Sequence, residues 1–256
     1  MSNLKRYKMF IDGDWVESKG KKTFKTLNPE NNEPWAEVPE ANKNDVDIAV
    51  KAAQKAFVGI WSKLFPRDRA KYLKEIANQL RENSEHLGRI ETIDTGKLFK
   101  ETKTQANYIA EYYDYYAGLA DKVEGTVLPI DKPNMQVITT RVPIGVVAAI
   151  IPWNSQMLLT AVKLAPALAM GNTVVIKSSE LAPATLFEFA KLIEKTGIPK
   201  GVVNVISGFG EPCGKELTSH NLVERVAFTG GPETAKHIIR NSADNLSQVS
   251  LELGGK

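Results

Sequence analysis

From about Pro143 onward the chain alternates short apolar runs with amphipathic stretches. The runs are "GVVAAII", "NTVVIKS", "VVNVISG", "RVAFTG" and "QVSLEL". Between them lie "QMLLTAVKLAPALAM", "APATLFEFAKLIEKTG", "EPCGKELTSH" and "PETAKHIIRNSA". Runs that are apolar at successive rather than alternate positions belong to strands covered on both faces. Strand, helix, strand at this spacing predicts a parallel sheet flanked by helices. Right-handed crossovers make such a sheet doubly wound. The expected fold class is therefore α/β, with a doubly wound, mostly parallel sheet and helices on both faces.

The preceding half has a different texture. "YKMFIDGDWVES" places two β-prone runs around Asp12-Gly13 and predicts a hairpin. Three helical stretches follow. "NDVDIAVKAAQKAF" puts Val46, Ala49, Ala53, Ala56 and Phe57 near one face, with Asn44 as the expected N-cap. "RDRAKYLKEIANQLREN" repeats the pattern with Ala70, Leu73, Ile76, Ala77 and Leu80. "TQANYIAEYYDYYAGLA" stacks Tyr108, Tyr112, Tyr115 and Leu119 at helical spacing, a stripe expected in the core or at a subunit contact. Few cations accompany these tyrosines, which argues against base stacking. "VEGTVLPI" and "NMQVITTRV", separated by Asp131-Lys132-Pro133, read as a second, protruding pair of strands. The expected division is an amino-terminal helical part over 1–122, a hairpin over 123–142 and a nucleotide-binding part over 143–256.

Charge and cysteine content exclude several classes. Thirty-three Lys plus Arg against thirty Asp plus Glu leave a net charge of +3, too little to argue for nucleic acid or a membrane surface. The single cysteine, Cys213, rules out an internal disulfide and suits a reducing compartment. "MSNLKRYKMF" has no apolar core of a secretory signal, and the run from Ile144 to Ile151 is too short to span a bilayer. A cytoplasmic protein is expected. The three histidines, His86, His220 and His237, show no metal-ligand spacing, so no metal is expected.

In doubly wound sheets, ligands bind beyond the carboxyl ends of the strands. Five segments should meet there: Pro152 to Asn154, Lys177 to Glu180, Gly208 to Gly214, Thr229 to Glu233 and Glu252 to Lys256. Each alone is ordinary turn chemistry. "GFGEPCG" breaks the dinucleotide fingerprint, with Cys213 where the third glycine belongs. In "TGGPETAKH" two glycines precede Pro232 at an expected helix start, leaving backbone N–H groups for an anion. Lys177 and Glu180 offer a donor and an acceptor to ribose hydroxyls, or form a solvated pair. Asn154 offers a carboxamide donor to an oxyanion, or caps the next helix. Glu252 ends an apolar strand, where burial would poise it as a general base; otherwise it is a carboxylate bonded to nearby N–H groups. Cys213 is either a thiol activated by its glycine loop or, more ordinarily, a small apolar packer.

Taken together, "IIPWN", "VVIKSSE", "FTGGPE" and "LELGGK", in this order and spacing, closely resemble the NAD(P)-dependent aldehyde dehydrogenases. "FIDGDWVES" and "NPENNEPWAEVPEANKNDVDIAVKAA" resemble that family's amino-terminal region, so the likeness covers almost the whole chain. It implies a Rossmann-like cofactor-binding domain and oxidation of an aldehyde to a carboxylate. In that family a cysteine thiolate attacks the aldehyde, hydride passes to the nicotinamide, and a glutamate activates the water that hydrolyses the thioester. By matching position Glu252 is that glutamate and Asn154 the oxyanion donor. Lys177 and Glu180 match the adenosine-ribose contacts. Gly208, Gly230, Gly231 and the turn to Ala235 match residues around the nucleotide, and Ile150, Ile151, Pro152, Trp153 and Leu253 line the cofactor side.

Three departures stand out. The family's usual "KPSE" is "KSSE" here, through Ser178; "FTGS" is "FTGG", through Gly231; and Ala235 stands where a further glycine is common. The family's nucleophilic cysteine lies downstream of "LELGGK", and Cys213 does not match it. The expectation is a cofactor-binding half without nucleophile or substrate domain, truncated and inactive alone; the alternative is a non-catalytic nucleotide-binding or interaction module. The implied cofactor is NAD, with NADP as the alternative; Glu180 favours NAD, because its carboxylate would repel a 2′-phosphate. For the complete protein the implied partners are a small-molecule aldehyde and further copies of itself, with neither nucleic acid nor membrane.

Overall fold

The structure, a computed structural model, describes residues 4–255. Lys256, which closes the fifth strand-end motif, and residues 1–3 of the amino-terminal stretch lie outside the described residues. The chain begins with β1 (Lys5–Arg6), β2 (Met9–Ile11), β3 (Asp14–Val16), β4 (Thr23–Asn28) and β5 (Glu33–Pro39). The expected hairpin forms: β2 and β3 pair antiparallel, Met9 with Val16 and Ile11 with Asp14. Asp12 and Gly13 have φ values of 52° and 75°, the positive φ that a tight two-residue hairpin turn needs at both positions. Sequence patterning did not anticipate β4 and β5, which form a separate three-stranded sheet in the order β1-β5-β4.

Four helices follow, one more than expected: α1 (Lys43–Gly59), α2 (Pro66–Glu82), α3 (Ser84–Thr95) and α4 (Phe99–Leu119). The N-cap of α1 is Asn42, not Asn44. The Asn42 side chain accepts from the backbone N–H of Asn44 and Asp45, at 2.8 and 3.2 Å, and Asp45 accepts from the Asn42 N–H at 2.9 Å. That reciprocal box needs an acceptor three residues after the cap, which Asp45 supplies for Asn42. Of the two places expected for the tyrosine stripe, the core is excluded. Tyr108 and Tyr115 are 57% and 61% exposed, whereas α4 buries Ala106, Ile109, Ala110, Tyr113 and Ala117. The stripe is not core.

The second strand pair is real but short: β6 (Val127–Leu128) and β7 (Val137–Ile138) pair antiparallel by themselves. The alternating half then runs β8 (Val146–Ile150), α5 (Gln156–Ala169), β9 (Thr173–Lys177), α6 (Ala184–Lys195), β10 (Val203–Ile206), α7 (Lys215–Thr218), β11 (Val223–Thr229), α8 (Pro232–Ser242) and β12 (Gln248–Glu252). Every expected strand is present. "EPCGKELTSH" yields only the single turn α7, because Gly210–Gly214 ahead of it is irregular, with Glu211 extended at φ −119° and ψ 135°.

The main sheet has seven strands in the order β12-β11-β8-β9-β10-β2-β3. β8 to β12 are parallel, and the β2–β3 hairpin adds antiparallel at the β10 edge. Successive residues of β8 face opposite cores. Val146 and Ala148 pack with α1, α7 and α8; Val147 and Ala149 pack with the α2, α4, α5 and α6 side. This double coverage is why the strands read as unbroken apolar runs. It also fixes the carboxyl ends of β8, β9 and β11 on one rim. Among the described residues, no helix is long and apolar enough to cross a membrane.

Candidate functional site

A cleft of about 560 Å³ opens on that rim, within the range that holds small ligands. Ile150 to Trp153, leaving β8, form one wall; Lys177, Ser179 and Glu180, leaving β9, form another. Phe228 to Gly231, leaving β11, and Thr234, His237, Ile238 and Asn241 on α8 face them. Gly210, Glu211, Gly214, Lys215 and Thr218 complete the rim. The cleft lies where the chain, having run β8, β9, β10 outward, returns to place β11 on the other side of β8. Such switch points leave room for ligands because the flanking connections diverge.

The walls differ chemically. Ile150, Ile151, Pro152 and Trp153 present apolar surface. Lys177 is buried, 4% exposed, and its ammonium donates to the Ser178 carbonyl at 3.1 Å and to Glu180 Oε2 at 3.5 Å, while Glu180 stays 38% exposed. Gly230 is sterically required, since a Cβ there would stand 2.5 Å from Cζ of Phe228. Gly231 is the N-cap of α8 with no side-chain cap, and a Cβ on it would meet nothing within 4 Å. Pro232 opens the helix at its first turn, so the free N–H groups of that turn and the positive end of the helix dipole border open space.

Other expected residues lie off this wall. Gly208 is buried beneath the loop after β10, against Cys213. Cys213 is fully buried, and burial pushes its thiol up to about 12 against the pull of the Lys177 charge. A nucleophile needs a thiolate, so the packing reading of Cys213 is the one that fits. Asn154 is exposed and precedes Ser155, the actual N-cap of α5; it makes no capping bond, which removes the capping alternative. Glu252 sits at the end of β12, opposite Thr229 in register, with its carbonyl accepting from the Gly230 N–H at 3.1 Å. Its side chain is exposed, as is Leu253; the burial expected of Glu252 is absent because β12 is the sheet's edge strand.

Lys163 was not among the expected site residues. It lies in the middle of the apolar helix α5, is buried, and donates from Nζ to Thr229 Oγ1 at 2.6 Å. Burial brings its ammonium down to about 8, opposed by the charge of Glu252. A lone lysine inside "TAVKLAPALA" was the available signal. His237 and Thr218 also reach the cleft unannounced. No group of three or more His, Cys, Asp or Glu able to hold a metal ion occurs among the described residues.

Comparison with known proteins follows the same lines. Residues 15–256 match the Aldehyde dehydrogenase family. The chain is 54% identical over 254 residues to "(Z)-2-((N-methylformamido)methylene)-5-hydroxybutyrolactone dehydrogenase" of Acinetobacter baylyi, covering 99% of this chain and 52% of that protein. It is 42% identical to the betaine aldehyde dehydrogenase of Bacillus subtilis, covering 97% of this chain and 51% of that one. A crystal structure of betaine aldehyde dehydrogenase from Staphylococcus aureus in complex with NAD+ superposes with a TM-score of 0.94 at 41% identity, over 99% of this chain and 50% of that one. The chain thus spans about half the length of these relatives.

Proposed function

The chain belongs to the aldehyde dehydrogenase family, and from that premise we propose that it binds NAD in the cleft at the β8, β9 and β11 ends and supplies the cofactor side of NAD-dependent aldehyde oxidation. The observation that carries this reading is the meeting, in one cleft, of an apolar wall, a lysine–carboxylate pair and an uncapped helix N-terminus. Those are the parts a dinucleotide asks for: a surface for its rings, donor and acceptor for ribose hydroxyls, and N–H groups for phosphate oxygens. The residues present fit the group. Gly231 leaves its side-chain space open at the end where phosphates would lie.

NAD held in this cleft would supply the hydride acceptor for aldehyde oxidation. Ile150, Ile151, Pro152 and Trp153 give its rings an apolar face and exclude water from it. Lys177, held by the Ser178 carbonyl, and Glu180 take the ribose hydroxyls. The N–H groups at the α8 N-terminus, beside Gly230 and Gly231, would take the phosphate oxygens. Gly208 lets the loop close down on Cys213. Asn154 donates from its carboxamide to the developing oxyanion. Glu252, separated from it only by β11 in the sheet, takes a proton from the attacking group. Lys163, bonded to Thr229, sets a positive charge within reach of the Glu252 carboxylate.

We place the nucleophile outside Cys213 and expect these 256 residues to bind cofactor without turning over aldehyde. The same burial of Cys213 is what favours the second reading, a nucleotide-binding module without chemistry. Residues 1–122 and 143–256 act as one cofactor-binding unit in this proposal, with 123–142 an arm for a second copy, in a cytoplasmic protein.

Calorimetric titration tests the reading. NAD should bind saturably with one site per chain, and Gly231→Trp, which fills the open space, should abolish it. No binding by the parent, or equal binding by Gly231→Trp, would overturn it. With NAD and short aldehydes, no NADH should form; turnover that vanishes in Cys213→Ala would overturn the placement of the nucleophile.

A further inference from the structure

One face of α8 runs down the cleft, away from the strand ends. Thr234, His237, Ile238 and Asn241 line it, at the i, i+3, i+4 and i+7 spacing of a single helical face. Asn241 stands in the last turn of the helix, about 15 Å along the axis from Gly231 at 1.5 Å per residue. α7 packs on α8 here, and its Lys215 and Thr218 line the same stretch of the cleft. In the proposed arrangement the phosphates lie at the start of α8 and the ribose at Lys177 and Glu180. The reacting ring has to stay near the strand ends, where Asn154 follows β8 and Glu252 ends β12. The groove between α7 and α8 is left for the other base.

The amide of Asn241 is fixed in orientation. Its Nδ2 donates to Thr218 Oγ1 at 3.0 Å. Thr218 Oγ1 in turn has the carbonyls of Gly214 and Lys215 at 2.9 and 3.1 Å. A hydroxyl has one proton to give and a carbonyl can only accept, so that proton is spent on the turn that carries Thr218. Towards α8 the hydroxyl is therefore an acceptor, and only the NH2 side of Asn241 can answer it. Turning the amide over would set Oδ1 against Oγ1, two acceptors with no proton between them. Oδ1 is thus the amide atom left to a ligand in the cleft. Lys215, which could donate to such a ligand, is paired with Glu211 at 3.2 Å.

We infer that Asn241, oriented by Thr218, selects adenine at the α7–α8 end of the cleft. Adenine carries an amino group on C6, which donates; guanine and hypoxanthine carry a carbonyl there, which accepts. A fixed acceptor bonds the first and leaves the others facing an oxygen that gives them nothing, so the wrong base loses a bond that water would have supplied. Exposed His237 and buried Ile238 offer the ring a flat and an apolar surface whatever its edge carries. Thr218 acts through Asn241 and is a positioning residue. The inference rests on the reading of this cleft as the NAD site.

The test is calorimetry on the whole chain with two dinucleotides, NAD and its hypoxanthine counterpart, in which the C6 amine is a carbonyl. The parent should bind NAD about tenfold more tightly. Asn241→Leu should bring the two within about twofold, with the loss on the NAD side. Thr218→Val keeps Asn241 but frees its amide to turn its NH2 group to the ligand. The hypoxanthine dinucleotide should then gain several-fold, a result that damaged packing does not produce. His237→Ala should weaken both ligands by the same factor; a loss confined to NAD would move the edge contact to His237 and overturn the inference. Equal binding of the two by the parent, a comparison that involves no variant, would overturn it as well. So would a preference for NAD that survives Asn241→Leu, or a hypoxanthine affinity that does not rise in Thr218→Val. Binding of neither dinucleotide by the parent would overturn the proposed function, and this inference with it.

Discussion

A Cβ built on Gly208 would stand 2.8 Å from the Cβ and 3.2 Å from the Sγ of Cys213. The glycine and the thiol therefore share one space, and the loop after β10 closes only because one of them lacks a side chain. Cys213 should behave as a packing atom. With its thiol pushed up from 9.0 to about 12, its thiolate fraction at neutral pH falls about a thousandfold. The native protein should resist thiol-specific reagents and react fully once unfolded; rapid native labelling would contradict the packing. Gly208→Ala should destabilise the fold by about 1–3 kcal/mol through overpacking, measured by urea denaturation.

Glu188 on α6 gathers Lys5 at 2.5 Å, Tyr7 at 2.8 Å and Lys191 at 3.0 Å on one oxygen and His86 at 3.0 Å on the other. Burial would raise its pKa, but these four partners outweigh that and hold it down at about 2. A folded value below the unfolded one means that ionisation favours the fold. The contribution is complete above about pH 5 and is lost as pH falls towards 2. Asp94 and Glu91, pushed up to about 6 and about 7, act in the opposite sense, losing stability as pH rises, so a difference measurement is needed. Glu188→Gln should cost about 3 kcal/mol at pH 7 and much less at pH 3. An equal cost at both would show that packing, not charge, is lost.

The parallel strands were legible because Val146 to Ala149 and Val203 to Ile206 are buried at every position, which leaves one pattern to read. The turn at Asp12-Gly13 was legible because few dipeptides tolerate two positive φ angles. The hairpin's attachment to β10 was not, since it depends on a meeting as remote as the Asp12 N–H with Asn204 Oδ1 at 3.0 Å. Helix α3 was hidden because its buried face includes the polar Ser84, Glu91 and Asp94, and the partners of Asp94, Thr26, Ala184 and Thr185, lie on other elements. The tyrosines of α4 revealed a face without saying which way it points. At the site, Pro152, Trp153, Lys177, Glu180, Gly230 and Gly231 could be picked out by their positions at strand ends, and Ile150 and Ile151 through the family resemblance. His237, Thr218 and Lys163 could not, because a helical side chain reaches a cleft only through the orientation that packing gives its helix.

Lys163 should titrate under the influence of the Glu252 charge. Burial brings the lysine down to about 8 and the Glu252 charge resists that, so Glu252→Gln should lower the Lys163 value further. A buried lysine that sheds its proton on folding gains stability as pH rises between about 8 and its ordinary value near 10.4. Both effects can be read from the Lys163 side-chain resonance and from denaturation curves across that window. A Lys163 resonance with the same midpoint in Glu252→Gln would show that the two charges do not interact.

Glu180 should set the choice of cofactor. It is the exposed member of the Lys177 pair, at 3.5 Å, and an exposed carboxylate accepts a ribose hydroxyl but repels a 2′-phosphate. NAD should bind at least about tenfold more tightly than NADP, the 1.4 kcal/mol of a single repulsive contact. Glu180→Gln should narrow that ratio to a few-fold, mainly by improving NADP. Calorimetry with both cofactors decides it; tighter NADP binding by the parent would remove Glu180 from this role.

Gly231 is a place where adding an atom should improve the protein. It caps α8 without a side chain, has an ordinary φ of −76°, and faces open space. Gly231→Ser therefore meets no strain and no clash. A serine hydroxyl can accept from an N–H of the first turn of α8, worth a few tenths of a kcal/mol over glycine at an N-cap. It can also turn outward and donate to an anion at the helix N-terminus, a contact worth about 0.5–1.5 kcal/mol. The two uses compete for one hydroxyl, so they should separate experimentally. Without cofactor, Gly231→Ser should raise the melting temperature slightly; with NAD, affinity should rise about two- to tenfold. Gly231→Ala offers no hydroxyl and lacks the N-cap preference of serine and glycine alike. It should leave NAD affinity unchanged while lowering stability slightly. Equal affinity for NAD in the serine, alanine and parent proteins would mean that the phosphates do not lie against the α8 N-terminus, and the orientation proposed for the cofactor would have to be reversed or abandoned.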